Sequence, residues 1–426
     1  MSNAACLSAG QMGWRQVVAV TVAVLLNALD GFDVLAITFA APVIAREWGI
    51  DNIALGAAIS AGLVGMTIGS LLLAPAGDRL GRRPLVLFCV AIMGAGMMLT
   101  ATATTVTMLC VWRVVTGIGI GGMLAAINAV VAEFSNERRR DFAIALMTVG
   151  YPIGGLVGGF ASAALVADGW QAIFIAGGAL TLIMLPVVWL AMPESIALLE
   201  QRGRPGDRDL AERLMRRLGH EPSREVVTPK PVARLATIEL FAARHRALTL
   251  CLIVSYFLHI VTFYFFSGWL PKLMTDLGFA TPDAIRTSAI MSIGGVIGGS
   301  LLGWSAPRFG LGRLVPLVMV GTTITMATFA QLSTLAALQI AAFATGTCVF
   351  AGIVGLYALL ARGFPPDLRV TGTGVVVGFG RGGAIVGPVI GGFLLQSGVS
   401  LGTCITVVGL LSLGAAIAVR GAVARV

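Results

Sequence analysis

The sequence predicts an all-α integral membrane protein: twelve transmembrane helices arranged as two six-helix halves. Three observations carry that expectation. Apolar residues make up 57% of the chain and charged ones 12%, against about 25% charged in an ordinary soluble protein. The apolar residues collect into twelve runs, each near the roughly 20 residues that cross the hydrocarbon of a bilayer. Most of the 29 Lys and Arg residues lie on segments that alternate runs place on one side, the asymmetry expected of cytoplasmic loops.

In chain order the runs are 17–39, 53–75, 85–103, 106–131, 142–166, 170–191, 247–270, 285–305, 314–332, 334–359, 373–396 and 398–419. Residues 1–16 are short, not apolar and followed by a full span, so no secretory signal is expected. Both termini are expected to be cytoplasmic, in a multi-pass protein of the cell inner membrane. In that topology only Arg46, Lys272 and Arg286 face the other side. The net charge of +9 is therefore topological, and no nucleic-acid partner is expected.

The one long polar stretch, 193–246, reads as a cytoplasmic linker between an N-terminal half, 1–192, and a C-terminal half, 247–426. Within it, Leu210, Leu214 and Leu218 share one face if Asp207–Leu218 is helical, which predicts a surface helix. The six cysteines show no metal-like or disulfide spacing, and the three histidines are scattered. No GxSxG, HExxH or P-loop pattern is present, so neither an enzyme, a cofactor nor an ATP-driven pump is expected.

The first span carries the feature that needs explaining. Asn27, Asp30 and Asp33 recur every three residues inside an apolar run and stack on one helix face. A charged Asp at the centre of a span costs about 2.5–3.5 kcal/mol on insertion scales, so such residues mark an ion or substrate pathway. Arg113 in the fourth span and Arg381 in the eleventh are the other charges within spans, and buried charges are normally paired. Two Asp and two Arg can compensate one another while the carrier is empty.

The two halves resemble each other. Gly77-Asp78-Arg79-Leu80-Gly81 after the second span has a degraded counterpart in Ala306-Pro307-Arg308-Phe309-Gly310 after the eighth, and Gly158-Gly159-Phe160 matches Gly391-Gly392-Phe393 at a similar offset. Same-orientation duplication of six spans is a design of secondary transporters, with the substrate site near the bilayer midplane.

Gly77 to Pro84, with Arg82 and Arg83, resembles the loop signature of the major facilitator superfamily. Arg113 followed by Gly117, Gly119, Gly121 and Gly122 resembles its second signature. Leu29-Asp30-Gly31-Phe32-Asp33, with Ala40-Ala41-Pro42 after it, resembles the aromatic acid:proton symporter family within that superfamily, whose members carry benzoate, 4-hydroxybenzoate or muconate. The resemblance implies the major facilitator fold and proton-coupled import of an aromatic or related organic acid by alternating access. The alternative is a proton-driven exporter or antiporter of drugs or organic anions. Gly387-Pro388-Val389-Ile390-Gly391-Gly392 resembles a run in the fifth span of such exporters, but here it lies in the eleventh.

Roles follow in part from the resemblance and in part from chemistry. By resemblance, Gly77, Asp78, Arg79, Gly81, Arg82 and Arg83 form a gating latch, Asp78 faces the start of span eleven and Glu133 joins the charge network of Arg82. Gly77 and Gly81 are expected to supply unusual backbone angles. Asp30 and Asp33 are the proton-coupling candidates, with Asp33 favoured as carrier, because burial and an approaching Arg move a carboxyl pKa in opposite directions. Arg381 is the first choice to anchor a substrate carboxylate, since a guanidinium binds it through two parallel hydrogen bonds. Arg113 is a candidate for either coupling or substrate binding. Asn27, Tyr256, His259, Phe263 and Tyr357 complete the substrate-binding candidates, Tyr256, His259, Phe263 and Phe266 being spaced on one face of span seven. The expected partners are a small organic acid, protons and the bilayer, and a monomer is expected.

Overall fold

The computed structural model describes residues 3–204, 206–222, 239–242 and 244–423. Among these, twelve helices are long and apolar enough to cross a membrane. The chain runs α1 (Asn3–Ala9), α2 (Trp14–Trp48), α3 (Asn52–Leu80), α4 (Arg82–Thr100), α5 (Val106–Phe134), α6 (Arg140–Leu165), α7 (Trp170–Ala191), α8 (Ile196–Arg202), α9 (Asp207–Leu218), α10 (Arg246–Asp276), α11 (Thr281–Phe309), α12 (Leu311–Phe329), α13 (Leu335–Gly363), α14 (Pro366–Gln396) and α15 (Leu401–Val423). The spans are α2–α7 and α10–α15.

Most of these helices outrun the apolar runs that announce them. The 35 residues of α2 extend about 50 Å at 1.5 Å per residue, whereas the hydrocarbon is about 30 Å thick. Hydropathy marks only the lipid-depth part of each helix. The surface helix read at Asp207–Leu218 has those bounds in α9. Its Ala211, Leu214, Met215 and Leu218 are buried while Leu210 is part exposed, so the buried stripe includes Met215 in place of Leu210.

Contacts divide the chain into two compact units. The first comprises Met1–Asp33, Val64–Gly154 and Phe174–Val232; the second comprises Val34–Leu63, Gly155–Ile173 and Ala233–Val426. Their boundaries cut through α2, α3, α6 and α7, because such long helices meet different neighbours at their two ends.

Within the first unit, missing side chains set the helix spacing. A Cβ on Gly154 would run into the Ala28 carbonyl, one on Gly31 into that of Tyr151, and one on Gly121 into that of Met66. The glycines after Arg113 thus serve close packing of α5 against α3 and α4. A collar closes this unit at the end that carries the N-terminus. The Asn3 amide donates to Glu200 Oε1 (2.8 Å), Gln16 Nε2 to the Phe134 carbonyl (3.0 Å) and Arg15 Nη1 to the Arg217 carbonyl (2.6 Å). These bonds tie α1 and the start of α2 to α5, α8 and α9.

In the second unit, α10 is the hub. Ser255 and Thr262 donate to the Ala415 and Val408 carbonyls of α15. The Trp269 indole donates to the Pro388 carbonyl of α14 (3.0 Å). The far end of α3 belongs here as well: Ser60 Oγ donates to the Ile385 carbonyl (2.8 Å), and a Cβ on Gly56 would lie 2.8 Å from the Pro388 carbonyl.

Two outcomes follow. Gly154→Leu forces a side chain into the α2 backbone, and overpacking of this kind costs about 1–3 kcal/mol; Gly303, with nothing within 4 Å of its Cβ position, is the control. The expected result is a lower thermal midpoint in detergent for Gly154→Leu and little change for Gly303→Leu. Arg202 grips Asp207 through two hydrogen bonds (2.7 and 2.9 Å), which hold the Asp207 carboxyl below the usual carboxylate range. A depressed carboxyl contributes stability above its unfolded pKa of about 4 and loses it as pH falls through the lower folded value. Rate-corrected hydrogen exchange of Asp207–Leu218 is therefore expected to show protection at pH 7 that is lost in acid below about pH 4.

Candidate functional site

The polar stripe of α2 lies in the first unit. Asn27, Asp30 and Asp33 are all buried, at 4%, 1% and 0% exposure. Asn27 Nδ2 donates to the Met147 carbonyl of α6 (2.6 Å), so its amide donor already serves helix packing. Arg113, also buried, reaches across from α5: its Nη2 donates to the backbone carbonyl of Asp33 (2.9 Å), and its guanidinium lies 5.9 Å from the Phe174 ring centre. Arg113 Nε and Nη1 and both Asp33 carboxyl oxygens are buried without a hydrogen-bond partner among the described residues. Arg113 and Asp30 are the charged neighbours that act electrostatically on Asp33. A buried carboxyl with neither oxygen hydrogen-bonded thus shares its surroundings with a guanidinium that has two nitrogens unbonded.

A second group lies in the second unit. The Tyr256 hydroxyl on α10 donates to the Tyr357 hydroxyl on α13 (3.0 Å), with the two rings edge to face at 5.8 Å. Arg381 on α14 is half-buried and acts electrostatically on Tyr256. The neighbouring Gly380 permits this approach, since a Cβ there would collide with the Tyr256 ring. The stretch of α14 that carries Arg381 thus packs against the Tyr256–Tyr357 pair through Gly380.

The other candidates on α10 are committed elsewhere. His259 is fully buried, with Nδ1 2.9 Å from Ser412 Oγ and Nε2 2.9 Å from the Val349 carbonyl. Both ring nitrogens are occupied, so none is left for a substrate hydroxyl. Phe263 packs edge to face on Phe350 at 5.0 Å and Phe266 on Phe329 at 5.2 Å. Both rings belong to the core. Helical spacing places these side chains on one face but does not say what that face meets.

The loop after the second span is a single residue. Gly77 and Arg79 lie within α3, and only Gly81 has a left-handed angle, φ 124°. Gly77 serves packing instead, with Leu85 2.7 Å from its Cβ position. Glu194, which follows α7, caps the start of α4: its Oε1 accepts from the Arg82 amide (2.7 Å) and the Ser195 amide (2.9 Å). Arg83 donates to the Trp189 carbonyl and stacks 4.6 Å over the Trp189 ring. In the sequence Glu194 is marked only by being a lone carboxylate directly after a span. The side chain of Asp78, and with it the expectation that it faces span eleven, lies outside the described residues. Glu133, at the end of α5, lines a cavity beside Arg140.

Twelve spans of this kind, with buried ionisable groups on the first and fourth, define a multi-pass membrane transporter rather than an enzyme. The model of the Major Facilitator Superfamily matches residues 23–388 and 252–425, and the chain belongs to that superfamily. It is 33% identical over 399 residues to a gallate transporter of Pseudomonas putida, covering 93% of this chain and 89% of that protein. It is 32% identical to the 4-hydroxybenzoate transporter PcaK of Pseudomonas aeruginosa, with 90% and 87% covered. Among solved structures, the xylose transporter XylE of Escherichia coli aligns with a TM-score of 0.72 at 18% identity, covering 93% of this chain and 94% of that one. This likeness shows the fold alone.

The two readings of α10 differ in what substitution does. His259→Phe removes two interhelical hydrogen bonds, and buried groups left unpaired cost about 1–3 kcal/mol each. It is expected to lower the thermal midpoint in detergent while leaving ligand affinity in the folded fraction unchanged. Tyr357→Phe, which leaves the Tyr256 hydroxyl unpaired, is expected to lower ligand affinity in the folded fraction as well as the midpoint.

Proposed function

We propose that this protein imports an aromatic acid together with protons, by alternating access of the six-helix halves 1–192 and 247–426. It acts as a monomer in the inner membrane with both termini cytoplasmic. The observation that carries the reading is the pairing of two separate devices: a buried, uncommitted Asp33 beside Arg113, and a cation–phenol cluster at Arg381, Tyr256 and Tyr357. Relatives named as transporters of gallate, 4-hydroxybenzoate and benzoate support the substrate class.

Arg381 anchors the carboxylate and Tyr256 and Tyr357 meet the ring. Asp33 carries the proton, Asp30 acts as its charged neighbour, and Arg113 serves coupling. When Arg113 turns toward the carboxyl, the proton leaves; when it turns away, the site accepts one. The two carboxyls titrate as a pair. Gly81, Arg82, Arg83 and Glu133, with Glu194 holding the turn, make up the gating end, together with Gly77, Asp78 and Arg79.

Uptake of radiolabelled aromatic acids into proteoliposomes tests this directly. An inward proton gradient is expected to drive uphill accumulation that a protonophore abolishes. Asp30→Asn combined with Asp33→Asn is expected to leave only equilibration. Arg381→Lys loses the two-bond grip on the carboxylate, and a charged hydrogen bond is worth about 1.5–3 kcal/mol, so KM is expected to rise about 10- to 100-fold. Full uphill uptake by the double Asn variant would overturn the proposal.

A further inference from the structure

We propose that the turn between α11 and α12 binds an anionic phospholipid, with the phosphate held by Arg308 and Arg313 and an acyl chain lying along α11. The sequence singles this turn out. Ala306-Pro307-Arg308-Phe309-Gly310 is the second copy of Gly77-Asp78-Arg79-Leu80-Gly81, and both copies end on a glycine with positive φ, 124° at Gly81 and 78° at Gly310. The second copy keeps the arginine but has Pro307 at the place of Asp78. It also has Trp304 at the place of Pro75 and Arg313 at the place of Pro84. It therefore lacks the acid that a charge latch needs and adds a ring and a second cation.

The two cations are uncompensated. Arg308 and Arg313 are exposed, and among the described residues neither guanidinium has a hydrogen-bond or ion-pair partner. Arg308 lies instead over the Trp304 ring, 5.1 Å from its centre, a contact that leaves its N–H edges free. The only acid on α11, α12 or α13 is Asp283. It sits about 37 Å back along α11 at 1.5 Å per residue and pairs with Arg286 (3.1 Å). Free guanidiniums favour a phosphodiester, which they grip through parallel N–H bonds. The ammonium of a zwitterionic headgroup meets no carboxylate here, so the preference is for a lipid of net negative charge, such as phosphatidylglycerol.

The helix below supplies the place for a chain. Ile297, Leu301, Trp304 and Arg308 fall within about 60° of one another around α11. All four are exposed, Trp304 at 66%. On α12, Leu317 lies one turn beyond Arg313 and is exposed as well. An apolar stripe thus leads up to a cation on each helix, with an indole at the level where Trp favours the membrane–water interface. Basic residues at this end follow from topology alone. The ring under Arg308, the distance to any acid and the stripe do not. The leaflet, cytoplasmic, rests on the orientation proposed above; the site itself depends on neither cargo nor proton coupling.

Native mass spectrometry of the purified full-length protein in detergent tests the site by counting retained lipids. Phosphatidylglycerol and phosphatidylethanolamine with the same acyl chains are the probes. The wild-type chain is expected to retain one phosphatidylglycerol in preference to phosphatidylethanolamine. Arg308→Gln with Arg313→Gln is expected to weaken phosphatidylglycerol binding about 10- to 100-fold, the worth of a lost charged hydrogen bond. The control is Arg213→Gln with Arg216→Gln on the exposed face of α9, which removes the same charge and is expected to change nothing. Size-exclusion profiles verify folding. A wild-type chain without the preference, its survival in the Arg308 and Arg313 pair, or an equal loss in the control pair would overturn the inference. The count involves no transport, so absence of aromatic-acid uptake into proteoliposomes would leave this site standing.

Discussion

The constraint on which the rest of this structure depends is the low dielectric around Asp33. A carboxyl at full burial with neither oxygen hydrogen-bonded is costly to hold in place unless something uses it. Its nearest cation, Arg113, spends one N–H on the Asp33 backbone and leaves two nitrogens uncommitted. That arrangement cannot be optimal for packing alone. A structural role would be served better by an apolar pair of similar volume, since buried ion pairs contribute little net stability. The proton-carrying role proposed for Asp33 gives such an arrangement a use, because its charge would then follow where the Arg113 guanidinium points.

The helices around it are built to keep that group in place. Glycines at 31, 121 and 154 let α2, α3, α5 and α6 approach until backbone meets backbone, and Asn27 ties α2 to α6 three residues before Asp30. The second unit follows the same economy with hydroxyls: Ser255, Thr262 and His259 join α10 to its neighbours and bury no unpaired charge. The single-residue turn at Gly81, capped by Glu194 and gripped through Arg83 by Trp189, gives α3, α4 and α7 a common end.

Much of this was legible in the sequence, because hydropathy and helical spacing are local properties. The twelve spans and α9 rest on patterns within about twenty residues of one another, whereas the rule that buried charges find partners grouped Asp30 and Asp33 with Arg381 as readily as with Arg113. What could not be read depends on distant chain. Nothing near His259 announces Ser412 and the Val349 carbonyl, and nothing near Gly81 announces Glu194. The short helix α1 carries no hydropathy signal and is held by Glu200 and by Ser8 contacts to the α5–α6 turn. Phe263 and Phe266 share a face with Tyr256, as spacing requires, yet Tyr256 bonds Tyr357 while Phe263 packs on Phe350 and Phe266 on Phe329.

The most direct test of this account is infrared difference spectroscopy of the purified protein at neutral pH, recorded with and without an aromatic acid. The carboxylic-acid C=O stretch of a protonated side chain is separate from the carboxylate bands. The account predicts such a band in the ligand-free protein that changes on acid binding and disappears in Asp33→Asn. An Asp33 that stays ionised with and without ligand would contradict it.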